Sequence, residues 1–225
     1  MKWQDGASKR GECKLHRKAL VQTLGKAYKH IGGLQGLKNR YRPYVCPMSD
    51  ILEQIPEGVS LFDIGCGSGS LLCLGKAFRK IKRAVGYDVS PLAVEASRAV
   101  SGVEITLRGP EDGVPSFVGY QAVTVVDVLH HIPPQQQKQF LIDIVQNMDV
   151  GSRLIIADID AGRWVGALMN RFHDLLLARQ WVHPWPALRV SEALKALGCR
   201  EEHFSLHRTL WYPHFVIRVV KECEV

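Results

Sequence analysis

The residues best suited to chemistry fall into three groups. Asp63 is followed at two-residue steps by Gly65, Gly67 and Gly69. Asp88 ends an apolar run 19 residues beyond Gly69, and Asp127 ends another, with Leu129, His130 and His131 just after it. Alternating glycines clear a turn of side chains, so its backbone can closely approach a nucleotide-like ligand near a helix N-terminus. A carboxylate placed as Asp88 is can accept hydrogen bonds from two ribose hydroxyls, although a strand-end aspartate alone is equally a turn former. A histidine can carry a proton near neutral pH, while a lone one more commonly packs or hydrogen-bonds.

These groups need elements to hold them. Residues 60–64 read as a buried strand, the glycines as a turn, and residues 71–78 as a helix. Residues 83–88 form a second strand, after which Ser90 is an N-cap and Pro91 the first helical position. Residues 103–107 read as a third strand. Residues 122–128 are apolar without a break, as a parallel strand buried on both faces should be. A helix over 135–148 and a fifth strand over 153–158 follow. Residues 164–181 carry Trp164, Leu168, Phe172, Leu175 and Leu176 on one helical face, and 187–197 is a helix ended by Gly198. Residues 201–207 and 215–220 pair antiparallel.

The N-terminal part is different. Residues 1–12 look frayed, and 14–31 form a basic helix with Leu20, Val21, Leu24, Tyr28 and Ile31 on one face, stopped by Gly32 and Gly33. Residues 41–44 break the chain again before a short helix over 48–55. Residues 1–42 hold eleven Lys and Arg against Asp5 and Glu12, a net +9 within a total of +7. The basic character thus belongs to an arm, residues 1–42, and not to the main domain, residues 43–225. Such an arm suits an acidic partner, an anionic membrane surface or nucleic acid; a solvated helix would read the same.

With 225 residues, 46% hydrophobic and 23% charged, the chain is a globular domain rather than a disordered or fibrous one. No apolar run reaches the ~18 residues of a membrane span, and no signal-peptide pattern opens the chain. The six cysteines form no C-x-x-C pair, which fits reduced thiols in the cytoplasm and no zinc site.

A dinucleotide fingerprint would need a third glycine where Ser70 stands. The run Asp63-x-Gly65-x-Gly67-x-Gly69 instead resembles motif I of the class I S-adenosylmethionine-dependent methyltransferases. Asp88, and the run Asp127-x-Leu129-His130-His131, resemble two further motifs of that family at its usual distances. The resemblance spans roughly residues 43–222 and is denser in the cofactor half. It implies an α/β, Rossmann-like, seven-stranded sheet, mostly parallel with an antiparallel last strand. Helices would cover both faces, with N-terminal helices and a helical lid after the fifth strand as additions. It implies S-adenosylmethionine bound by Asp63, Gly65, Cys66, Gly67, Gly69, Asp88, Val89, Asp127 and Val128. His131 would look toward the transferred methyl, and Tyr41, Arg42 or Tyr44 toward the methionine end. Relatives often place an adenine-binding aspartate where Pro110 stands, so Glu111 or Asp112 must take that part.

The acceptor implied is a small molecule or a lipid-like one. Residues 173–184 and 210–214 resemble methyltransferases of aryl-polyene-like polyketide pathways, whose hydroxyaryl acceptor would ride on an acidic acyl carrier protein. Two other readings compete: an RNA methyltransferase using the basic arm, and a non-catalytic protein whose arm binds a partner. Amino-directed nucleic-acid enzymes usually carry a Pro-Pro pair directly after the fourth strand, whereas Pro133 and Pro134 come later. The cysteine-type cytosine enzymes need a Pro-Cys nucleophile, which does not stand in the corresponding place.

Overall fold

A computed structural model describes residues 16–162, 182–209 and 212–224. The expected frayed start and the helix over 164–181 with its lid role lie outside the described residues.

Three helices come first: α1 (Arg17–Ala27), α2 (Gly33–Val45) and α3 (Met48–Gln54). The α/β unit follows as β1 (Ser60–Ile64), α4 (Ser70–Arg79), β2 (Arg83–Asp88), α5 (Pro91–Ser97), β3 (Glu104–Leu107), β4 (Ala122–Val126), α6 (Pro134–Gln146) and β5 (Arg153–Ile159). It closes with α7 (Ala187–Ala196), β6 (Cys199–Thr209) and β7 (Tyr212–Lys221). The strands form one sheet in the order β3-β2-β1-β4-β5-β7-β6. β7 runs antiparallel to both of its neighbours, and the other pairings are parallel. β1 and β4 are adjacent while the chain leaves them toward opposite sides, so a crevice opens beyond their carboxyl ends.

β4 is buried at all five positions, because the sheet is covered on both faces. On one side Leu141 and Ile144 of α6 and Val190 and Leu194 of α7 pack against Ile64, Val125 and Ile156. On the other, Leu20 and Leu24 of α1, Ile51 and Leu52 of α3 and Leu72 of α4 pack against Leu61, Ala122 and Ile155. Every one of these side chains is at most 1% exposed. Each such burial stabilises by about 1.5–3 kcal/mol relative to exposure.

The expected break at 41–44 is corrected by the structure: α2 runs through Pro43 to Val45. Pro43 removes one bond of the last turn, the one that would reach the Asn39 carbonyl, while the Cys46 N–H still reaches Arg42 and the proline ring is buried. α2 therefore also crosses the boundary expected between residues 42 and 43. α1 is shorter than expected, at 11 residues, and the final strands are longer, at 11 and 10.

Candidate functional site

The glycine turn sits at the carboxyl end of β1. Gly65, Gly67 and Gly69 have φ of +63°, +56° and +81°, values that side chains disfavour. The three positions differ in what surrounds them. A Cβ on Gly65 would stand 2.5 Å from Val128, and one on Gly69 2.7 Å from Ile105. A Cβ on Gly67 would meet nothing within 4 Å. Two of the glycines admit neighbouring side chains, and Gly67 faces open space.

Asp88 joins this turn to the one after β2. Its Oδ2 accepts from the Gly67 N–H at 2.7 Å and its Oδ1 from the Ser90 N–H at 2.8 Å. Val89, beside it, is 58% exposed. The cap reaches the turn from above: the Tyr28 hydroxyl donates to the Ser68 carbonyl at 2.6 Å, and the Gln35 amide donates to Ser68 Oγ at 2.9 Å.

Asp63 and Cys66 point elsewhere. Asp63 is buried under the turn and accepts from the Thr124 hydroxyl at 2.6 Å. Burial pushes its carboxyl up to about 7, against the Thr124 hydrogen bond and the Arg42 charge. The Cys66 side chain packs on Gly86, where an added Cβ would lie 2.9 Å from the sulfur; burial pushes its thiol far up. The five described cysteines, Cys46, Cys66, Cys73, Cys199 and Cys223, are free thiols.

Of the two acids offered in place of an adenine-binding aspartate, Asp112 accepts from the Gly109 N–H at 2.7 Å, and Arg108 donates to its carbonyl. Asp112 is thus engaged by its own turn. Glu111 is exposed and its carboxylate lies over Gly109.

Asp127 stands just past β4 with φ +57°, a conformation aspartate tolerates better than most residues. Its carboxylate bridges two distant elements. Arg42 Nη2 of α2 lies 3.0 Å from Oδ2, and His214 Nε2 of β7 lies 3.1 Å from Oδ1. Burial opposes its charge, but the hydrogen bond and charge of His214, then Arg42, hold the carboxyl well below the carboxylate range. The Cys46 sulfur, an Asp127 oxygen and a His214 nitrogen lie within 4.8 Å of one another. Burial and the Asp127 charge push that thiol well up, and the cation already beside the carboxylate is the Arg42 guanidinium.

The two histidines have different surroundings. His130 is 4% exposed, its Nδ1 bonded to Asp158, whose other oxygen accepts from the His130 N–H at 3.2 Å. His131 is exposed, with its ring centroid 4.0 Å from that of His130. Packing of its inner face, then the neighbouring His130, pushes the His131 imidazole down to about 4, so the ring is neutral at pH 7. Gln137 of α6, fully buried, holds this loop by donating to the carbonyls of Leu129, Ile132 and His183 at 3.0, 3.0 and 2.7 Å.

Sequence spacing brought out the glycines, Asp88, Asp127 and the histidines, and the structure gathers them at one end of the sheet. It missed His214, Asp158, Gln137, Tyr28 and Gln35, each of which acts across many residues. Of the two side chains that hold Asp127, Arg42 is the one the family resemblance points to, as a candidate for the methionine end.

No protein-family model matches the sequence, and no curated protein does. Solved structures do match in fold. The methyltransferase partner of the Haloferax volcanii Trm112 methyltransferase activator is 16% identical, with a TM-score of 0.68 over 91% of this chain and 98% of that one. Magnesium protoporphyrin IX methyltransferase from Synechocystis PCC 6803, solved with bound SAH, is 17% identical, with a TM-score of 0.63 over 92% of this chain and 98% of that one. A Methanosarcina mazei protein described as a SAM-dependent methyltransferase is 16% identical, with a TM-score of 0.60 over 78% and 98%. The chain has the fold of the class I S-adenosylmethionine-dependent methyltransferases.

Proposed function

We propose that this protein transfers a methyl group from S-adenosylmethionine to a hydroxyl-bearing acceptor that is small or lipid-like, free or borne on a carrier. The observation that carries this reading is the open space over Gly67, next to the Asp88 carboxylate on a turn that points no side chain outward. Bound there, S-adenosylmethionine supplies a methyl activated by its sulfonium. Gly65, Gly67 and Gly69 offer backbone at close range, and Asp88 has lone pairs left for ribose hydroxyls beyond the two N–H groups it now holds. Val89 offers an apolar surface to the base, and we assign Glu111 to its amino group.

The protein's own work is positioning and the exclusion of water. Arg42 and His214 hold Asp127 ionised at the end of β4, and Val128 backs the turn. Asp158 and Gln137 fix the His130 loop, so the His131 ring stands at its rim. His131, its imidazole neutral and without a hydrogen-bond partner among the described residues, is the residue we assign to receive the acceptor's proton. The test is calorimetric titration of the purified chain with S-adenosylmethionine, then methyl-transfer assays across phenols, carrier-bound acyl chains and tRNA. Failure to bind the cofactor would overturn the reading; methylation of tRNA alone would overturn the acceptor class.

A further inference from the structure

α2 is built inside out. Its buried positions are Asn39 and Pro43. Its outward ones are Leu34 (61% exposed), Leu37 (54%), Tyr41 (41%), Val45 (39%) and Tyr44 (36%). At 100° per residue these five share an arc of about 100°, opposite Asn39 and Pro43. Lys38 and Arg40, both exposed, stand at the two shoulders of that arc. Arg40 lies over the Tyr41 ring at 5.5 Å and Arg17 of α1 over the Tyr44 ring at 5.4 Å. An apolar stripe this exposed on a helix is unusual where water is its only neighbour.

We propose that α2 is a membrane-surface helix. Its stripe enters the boundary between headgroups and acyl chains of an anionic bilayer, while Lys38, Arg40 and Arg17 meet lipid phosphates. The two signals such binding needs, an apolar face and flanking cations, are both present. Tyrosines suit that depth because the ring is apolar and the hydroxyl polar. The charge is also on the correct part of the chain: residues 16–42 hold seven Lys and Arg and no Asp or Glu, which favours approach to an anionic leaflet by these first helices. A nucleic acid could stack on the tyrosines but would leave Leu34, Leu37 and Val45 in water. A second copy meeting this face across a two-fold axis would set the cations at its shoulders against their like.

This inference deepens the proposed function and rests on it in one respect only. Arg42, on the same helix, reaches Asp127, so a bilayer under α2 would present a lipid-like acceptor beside the site.

The full-length chain, without cofactor, is to be sedimented with phosphatidylcholine vesicles containing phosphatidylglycerol and with pure phosphatidylcholine vesicles, at low and high salt. Binding to the anionic vesicles is expected, weakened by salt. Leu34→Ser/Leu37→Ser should lower the partition coefficient about tenfold or more, with an unchanged Tm because both side chains are exposed. Lys38→Glu/Arg40→Glu should lower it on anionic vesicles alone. The proposal is overturned if the wild type does not sediment with anionic vesicles, or if the leucine variant partitions as the wild type does. It is equally overturned if the leucines instead hold a dimer in light scattering, or if the chain binds a single-stranded RNA oligonucleotide and no vesicle. Cofactor titration of the same samples reads the methyltransferase reading separately, so the two can fail independently.

Discussion

Gly67 donates its backbone N–H to the Asp88 carboxylate at 2.7 Å, so the two turns that open on the crevice are tied before any ligand arrives. Since the second oxygen of Asp88 accepts from Ser90, the carboxylate is oriented at both ends. Asp88→Ala should weaken S-adenosylmethionine by roughly 2–4 kcal/mol, about 30- to 1,000-fold. Calorimetry showing unchanged affinity in a folded variant would remove Asp88 from the site.

The glycines should separate by what they cost. Gly65→Ala sets a Cβ 2.5 Å from Val128 and should lower Tm and cofactor affinity together. Gly67→Ala meets no neighbour, so beyond the ~1–2 kcal/mol of its left-handed backbone it should act on affinity. Tm and titration on the same pair of variants decide this.

Asp63 gives a pH signature. Its folded carboxyl, near 7, keeps a proton that the unfolded chain has lost above about 4. Unfolding therefore releases a proton, and stability falls as pH rises from about 4 to about 7, on the order of 4 kcal/mol in full. Asp63→Asn, which keeps an acceptor for Thr124, should lack that fall. Urea unfolding of both chains at pH 5, 6, 7 and 8 would show parallel curves if Asp63 titrates normally.

Asp127 has the opposite sign. Its folded carboxyl is depressed, so the stability it adds is complete above the unfolded value near 4 and is lost as pH drops below it. At pH 7 Asp127→Asn should cost about 1–3 kcal/mol, since Arg42 is itself partly exposed. The gap between the two chains should narrow steadily as the pH falls from about 4 toward 2.

The histidine pair should divide stability from turnover. His131→Ala should leave Tm and cofactor affinity in place and lower turnover about 10²–10⁴-fold if it carries the proton. His130→Ala breaks the buried contact with Asp158 and should lower Tm instead. Normal turnover in His131→Ala would make that residue structural.

What could be read in advance was local. The glycine steps, the Ser90-Pro91 cap and the unbroken apolar run of β4 each carry their cause within a few residues. What could not be read depends on distance. Arg42 and His214 meet Asp127 from 85 and 87 residues away, and nothing in their own neighbourhoods marks it. Pro43 argued for a break that α2 does not have: it removes one bond of the last turn, and the buried packing of its ring, invisible in the local sequence, holds the helix to Val45. The Asp112 bond to the Gly109 N–H closes its own turn, and position alone does not reveal it.

β7 leaves the ribosome after the other six strands of this sheet, yet it lies inside it, between β5 and β6. During synthesis β5 must wait with one edge unpaired, and β6 has no neighbour at all until β7 arrives. Asp127 likewise waits for His214. Order of manufacture and order of assembly are at odds, which makes the nascent sheet a sticky intermediate. A chain cut short just before β7 would have its glycine turn already made and its sheet still open.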